Sequence, residues 1–147
     1  LIQFERQIRT WHRSSALSCK LEKVPGIGPI TATALVASIG DAKKFANGRQ
    51  LAAWLGLVPR QHSTGGKANL LGISKRGDCH LRTLLIHGAR AGILAAERKL
   101  TTQGWLVRSL DRRHKNVAAV AVANMTARIV WALLAHEREF RSDYVTA

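Results

Sequence analysis

Two adjacent hydroxyls, Ser63 and Thr64, stand directly before the glycine pair Gly65-Gly66, with cations on both sides. The stretch reads Gly56-Leu57-Val58-Pro59-Arg60-Gln61-His62-Ser63-Thr64-Gly65-Gly66-Lys67, then Gly72-Ile73-Ser74-Lys75-Arg76-Gly77-Asp78 and Leu81-Arg82. Phosphoryl chemistry needs such parts. A nucleophilic oxygen must approach a phosphate closely, which glycines permit, and positive groups must offset the charge of a pentacovalent transition state. Arg60, Lys67, Lys75, Arg76 and Arg82 supply that charge. The stretch is not a P-loop, because G-x-x-x-x-G-K-[ST] is absent. On composition alone the simpler reading is favoured: a solvated basic loop that clamps phosphates and does no chemistry. His62 adjoins Ser63 and is a weak candidate for a general base, since neighbouring side chains on an extended segment point opposite ways. Cys79-His80 has no second Cys/His pair at ligand spacing and reads as the start of a helix.

A second pattern lies at residues 21–35: Leu21-x-x-Val24-Pro25-Gly26-Ile27-Gly28-Pro29-x-Thr31-Ala32-x-x-Leu35. Two short helices pack through Leu21, Val24, Ile27 and Leu35, and the glycines allow a turn that side chains would obstruct. The start of the second helix then offers unpaired N–H groups at the positive end of its dipole, an anion site suited to a DNA phosphate. Pro29 costs little at the first helical position. The pattern resembles a helix-hairpin-helix motif, whose members mostly hold DNA backbone without reading sequence. Its gripping positions here are Gly26, Gly28, Ile30 and Thr31. A plain turn between helices, with no ligand, is the simpler alternative.

The elements that must position these residues read as all-α. Residues 1–23 carry Phe4, Ile8, Trp11, Leu17 and Leu21 at helical spacing among Arg and Lys, and look like the end of a long amphipathic helix. Pro25 to Pro29 is a hard break, and Ile30–Ile39 is helical again with Gly40 as its stop. Asn47 caps a short helix with Leu51, Ala52, Trp54 and Leu55, closed by Gly56. Residues 57–77 read as a long loop or irregular hairpin, and loops of that length are usually functional. Asp78 caps a strong helix with Leu81, Leu84, Leu85, Gly88, Gly92 and Leu94. Thr101 or Thr102 opens a shorter one with Trp105, Leu106 and Leu110, and Arg112-Arg113-His114-Lys115 is a basic connector. The last helix runs from about Val117 to His136, apolar nearly all round, hence central in the core. Asn124, Thr126 and Arg128 interrupt its apolar run, which favours a buried helix over a membrane span. Trp54, Trp105 and Trp131 fall on apolar faces and read as core, whereas Trp11 is free to face a partner chain. Lys43-Lys44 and Arg112-Arg113 read most simply as solvated charges.

Composition narrows the class. Among 147 residues, 23 Lys plus Arg stand against 9 Asp plus Glu, a formal net charge of +14. That surplus calls for a polyanionic partner, and nucleic acid is the usual one. A hydrophobic share of 46% excludes a disordered tail. Two distant cysteines, Cys19 and Cys79, exclude a disulfide scaffold and fit a reducing cytosol. The chain starts at Leu1 with its one methionine at Met125, and is expected to be part of something longer.

The ordered blocks P-G-I-G-P-x-T-A, I-G-D, L-A-A-W-L-G-L-V-P-R, S-T-G-G-K and I-S-K-R-G-D-x-x-L-R, spanning residues 23–96, resemble the C-terminal domain of one bacterial insertion-sequence transposase family, which also includes the pilin-gene inverting recombinase. Residues 97–147 match only as helices. The resemblance implies residues 1–22 as the end of a coiled-coil linker and 23–147 as the C-terminal domain. It also implies an absent N-terminal RNase H-like domain with an acidic metal-binding tetrad, where Mg would bind. DNA, an element-encoded noncoding RNA and further copies of the protein are its implied partners, and no membrane. It implies a serine nucleophile that forms a transient phosphoserine bond to a DNA end. The serine before the glycine pair maps to Ser63. In many relatives the serine lies directly before a glycine, a position held here by Thr64. Ser63 is preferred, because a primary hydroxyl attacks phosphorus with less crowding than a β-branched one; Thr64 is the alternative.

The nine acidic residues, Glu5, Glu22, Asp41, Asp78, Glu97, Asp111, Glu137, Glu139 and Asp143, form no D-x-D or similar cluster. A two-metal nuclease site needs several convergent carboxylates. No metal or other cofactor site is therefore expected within this chain, and alone it is expected to bind nucleic acid without recombining it. Two rival classes stay open: a non-catalytic helix-hairpin-helix module that holds branched DNA, and an RNA-binding structural protein.

Overall fold

The computed structural model describes the backbone of residues 1–64, 67–73, 77–99 and 114–141, and side chains at 1–58, 77–95 and 114–141. The expected helix over Thr101 or Thr102, the connector at Arg112-Arg113, and Lys75 and Arg76 lie outside the described residues. The element order is α1 (Ile2–Ser14), α2 (Ala16–Glu22), α3 (Pro29–Ile39), a 3-10 turn (Ala42–Lys44), α4 (Gly48–Trp54), β1 (Pro59–Thr64), β2 (Lys67–Ile73), α5 (Cys79–Lys99) and α6 (Lys115–Ala135).

The body is helical. The all-α expectation needs one amendment: Pro59–Thr64 and Lys67–Ile73 pair as an antiparallel ribbon. The segment is polar and lacks a clean alternation of apolar residues, so it reads as loop in sequence. The ribbon is held by backbone bonds and by its anchored base, neither of which composition reveals.

The long first helix also needs correction. It breaks at Ser15, which leaves helical geometry at φ −98° and ψ 112°. Ser14 and Ser15 are residues whose hydroxyls compete with the helical backbone. The Ser15 hydroxyl accepts from the Ser18 N–H at 3.3 Å and so caps α2. The break folds α1 back against α2 and α3.

Other boundaries follow local chemistry. Pro29 opens α3 and Gly40 ends it at φ 63°, where a Cβ is disfavoured. The Asn47 side chain accepts from Gln50 N at 2.9 Å and caps α4. Asp78 does the same for α5 through Leu81 N at 3.0 Å. The core joins α2, α3, α4, α5 and α6 through Leu21, Leu35, Ile39, Leu51, Leu85 and Val130, all fully or almost fully buried. Helix α6 is long and apolar enough to cross a bilayer by length and composition. Here it packs along α5 and α4 as the central core helix, with Ala118, Ala123, Ala127 and Val130 fully buried. Trp131 donates to the carbonyls of Ala42 and Phe45 at 3.1 and 3.2 Å, tying α6 to the 3-10 turn.

Candidate functional site

The ribbon stands on a fixed base. Leu57, just before β1, is buried and donates its N–H to Ala52 O at 3.0 Å. Its carbonyl accepts from Asn124 Nδ2 of α6 at 3.1 Å. On the other side Gly77, at φ 98°, closes against the end of α4: a Cβ there would overlap the Trp54 carbonyl oxygen. Gly56 turns the chain out of α4 at φ 73°. The segments on either side of the ribbon are thus clamped to α4 and α6. The Asn124 that interrupts the apolar run of α6 is one of the clamps.

Register then orders the chemistry-bearing positions. Thr64 pairs with Lys67, Ser63 with Ala68, His62 with Asn69, Gln61 with Leu70 and Pro59 with Ile73. One residue, Arg60, faces two, Leu71 and Gly72, so β2 carries a bulge. Thr64 and Lys67 are the last paired positions, which leaves Gly65 and Gly66 as the two residues between the strands. Successive positions of a strand belong to opposite faces, and paired positions share one. Thr64, Lys67, His62 and Asn69 therefore lie on one face of the ribbon, and Ser63, Ala68, Gln61 and Leu70 on the other. The sequence brought Ser63 and Thr64 together as neighbours; the ribbon puts them on opposite faces.

Arg82 sits on the first turn of α5, beside the ribbon base. It is only 9% exposed, and its Nη1 donates to Leu55 O at 3.3 Å. It has no carboxylate partner among the described residues. A buried guanidinium left uncompensated is costly unless an anion completes it.

The turn between α2 and α3 is shaped by packing. Gly26, at φ 89°, meets Gly88 of α5 backbone to backbone: a Cβ on Gly26 would lie 2.7 Å from Gly88 O. Gly26 is therefore a contact between the turn and α5 before it is anything else. Gly28 is exposed, with open space where a Cβ would go. The first bond of α3 runs from Ala32 N to Gly28 O at 2.9 Å, which leaves the Ile30 and Thr31 N–H groups without helical partners. Ile30 is 47% exposed. Thr31 is buried, and its hydroxyl has no hydrogen-bond partner among the described residues.

Sequence reasoning missed what faces this helix start. A recess between α1 and α3 is lined by Arg9, His12, Arg13, Cys19, Glu22 and Pro29. Arg9 and Arg13, one turn apart on α1, add positive charge beside the start of α3. Their i, i+4 spacing was legible, but the break at Ser15 that folds α1 onto α3 was not. Buried His12 pins that fold, contacting Ser18 Oγ at 2.6 Å and Glu22 Oε2 at 2.7 Å. Ser18 is fully buried, so this Ser-His-Glu set is a structural clasp.

Trp54 packs against Phe45 with ring centroids 5.5 Å apart, and Trp131 packs on the core, as their apolar faces predicted. Trp11 is exposed. Among the described residues no three His, Cys, Asp or Glu side chains gather as metal ligands.

The chain is 56% identical over 142 residues to a Pseudomonas aeruginosa protein named "Probable family 20 transposase", covering 96% of this chain and 42% of that one. It is 45% identical over 139 residues to the "Transposase for insertion sequence element IS1111A" of Coxiella burnetii, covering 94% and 38%. It is 28% identical over 134 residues to the "Pilin gene-inverting protein" of Moraxella bovis, covering 88% and 39%. The chain spans about two fifths of the length of these relatives. Residues 19–103, which hold the α2–α3 turn, the ribbon and all of α5, match the family described as "Transposase IS116/IS110/IS902 family", and the chain belongs to that family.

Proposed function

We propose that this chain is the DNA-binding and catalytic C-terminal domain of a transposase, in which a hydroxyl on the ribbon attacks a DNA phosphodiester. The observation that carries the reading is the ribbon itself. It is anchored at its base, its last paired positions are Thr64 and Lys67 with Ser63 next in line, and the uncompensated Arg82 guanidinium lies near its base. Ser63 is the proposed nucleophile. Its oxygen forms a bond to phosphorus while one P–O bond of the strand breaks. The serine proton is lost to a base or solvent, and the departing oxygen takes up a proton. One ester replaces another, so the bond energy is kept for rejoining. Arg60, Lys67, Lys75, Arg76 and Arg82 hold and neutralise phosphate.

The α2–turn–α3 unit is the proposed helix-hairpin-helix. The Ile30 and Thr31 N–H groups and the unpartnered Thr31 hydroxyl donate to a backbone phosphate, Gly28 leaves room for it, and Arg9 and Arg13 flank it. The amphipathic α1, with Phe4 and Trp11 exposed, is the proposed end of a coiled-coil linker. The proposed partners are an RNase H-like domain that supplies the Mg site, further copies of the protein, and an element-encoded RNA.

The test is strand exchange by the full-length protein. Ser63→Ala abolishes exchange and the covalent protein–DNA adduct seen after denaturation, and leaves DNA affinity within about twofold, since a neutral hydroxyl adds little to phosphate binding. If exchange survives Ser63→Ala and fails with Thr64→Ala, the nucleophile lies on the Lys67 face. If both variants exchange normally, the domain is a non-catalytic binding module and the chemical reading is wrong.

A further inference from the structure

A recess of about 300 Å³ opens between the outer face of α6 and the tail at 138–141. Its floor is apolar. Met125, Ile129 and Leu133 follow one another four residues apart on α6, and Phe140 folds back from the tail onto the hydrophobic core. Its rim is cationic. Arg128 on α6 and Arg138 on the tail are exposed, and neither has an acidic partner among the described residues. Gly48 fixes the place of Arg128: a Cβ on that glycine would lie 3.0 Å from the Arg128 Cα, so α4 approaches the helix backbone there.

The acidic residue on the rim, Glu139, is already matched. Its carboxylate accepts from Lys23 Nζ at 2.9 Å. That hydrogen bond and the lysine charge hold its carboxyl below the usual range. The same pair ties the tail to the residue that ends α2 and opens the α2–α3 turn. The recess is thus linked, through Glu139 and Lys23, to the beginning of the turn proposed to grip DNA backbone.

An apolar floor under a guanidinium rim selects a ligand with a flat, apolar body and an anionic end. A nucleotide out of its stack has that form: the base lies on the apolar and aromatic floor while arginines take the phosphates. The volume is at the lower end of the range for small-ligand sites, enough for one base rather than several. We propose that this recess receives one unpaired nucleotide of a DNA strand, its base on Met125, Ile129 and Phe140 and its flanking phosphates on Arg128 and Arg138. The inference rests on the DNA-binding reading above. DNA is favoured over RNA because Glu139 on the rim pairs with Lys23 at the head of the turn proposed to hold a duplex, and strand exchange passes through unpaired ends.

The test uses the full chain and three DNA duplexes. One is fully paired, one carries a single extrahelical 2-aminopurine, and one carries an abasic residue at the same place. Binding is followed by fluorescence anisotropy and by 2-aminopurine emission. The expected result is about tenfold tighter binding of the extrahelical base than of the abasic site, the scale of one stacked base. Met125→Trp fills the recess and removes that preference and the emission change, and leaves paired-duplex affinity unaltered. The exposed pair Arg128→Gln/Arg138→Gln also loses the preference, with the helical circular dichroism intact. If the chain binds all three duplexes alike, or the preference survives Met125→Trp, or the RNA strand with the same bulge binds tighter, this inference falls while the reading above stands. Failure to bind even the paired duplex removes both.

Discussion

Two glycines one turn apart on α5 respond in opposite directions to the same substitution. A glycine inside a helix costs about 1 kcal/mol relative to alanine, through backbone entropy. Gly92 has open space among the described residues where a Cβ would go, so Gly92→Ala stabilises the chain by about 0.5–1 kcal/mol. Gly88→Ala makes the same helical gain, but its new methyl would overlap the Gly26 carbonyl oxygen. The obstacle is backbone on both sides, so no rotamer change relieves it. Overpacking of this kind costs typically about 1–3 kcal/mol, and occasionally more where backbones must part. The net expectation is a loss of about 1–2 kcal/mol. The two variants share the helical gain and so differ by the overpacking cost, about 1–3 kcal/mol, or about 1–2 M in urea midpoint at a slope typical of small proteins. Urea unfolding followed by circular dichroism at 222 nm reads this directly. Similar stabilisation by both substitutions would falsify the close contact between α5 and the α2–α3 turn. Gly88→Ala also displaces that turn, so its DNA affinity falls below that of Gly92→Ala.

Arg82→Met keeps length and removes a buried charge, so stability changes by less than about 1 kcal/mol while the slope of log affinity against log salt falls by about 1; a large stability loss with an unchanged slope would make Arg82 purely a fold residue. His12→Ala strands the buried Ser18 hydroxyl and frees Glu22, which costs about 1–3 kcal/mol and raises amide exchange along α1 ahead of the core; uniform exchange across all helices would refute the clasp. Glu139 titrates below its ordinary value of 4.5 because Lys23 donates to it and attracts its charge. The contribution of that pair is therefore present above pH 4.5 and lost as pH falls through the lowered midpoint of the folded state. Lys23→Met moves the Glu139 midpoint, followed by carboxyl carbon NMR, back up towards 4.5; an unmoved midpoint would remove the lysine as the cause.

Helix ends were written locally. Asn47, Asp78, Pro29 and Gly40 act at their own backbone, so their side chains or ring geometry declare the boundary without help from distant residues. Helix α6 was legible as a core helix because it is apolar on nearly every face. The nonlocal features were hidden. The break at Ser15 is sealed by His12 reaching Ser18 and Glu22, a set that the helical spacing of apolar residues along 1–21 conceals. The ribbon was blurred into a loop because its base is held in part by Asn124 of α6, a residue far along the chain from the segment itself.

By itself, the sequence settled the polyanion-seeking charge, the helical body and the gathering of hydroxyls, glycines and cations in residues 56–82. These depend on residue type and on spacing within a turn or two, which short-range physics reads directly. Only the tertiary structure decided that Ser63 and Thr64 stand on opposite faces, that Gly26 exists to meet Gly88, that Arg82 is buried, and that Arg128 and Arg138 share a rim. Each of those depends on which backbone comes to lie against which, and that is set by packing across the whole chain rather than by any one segment.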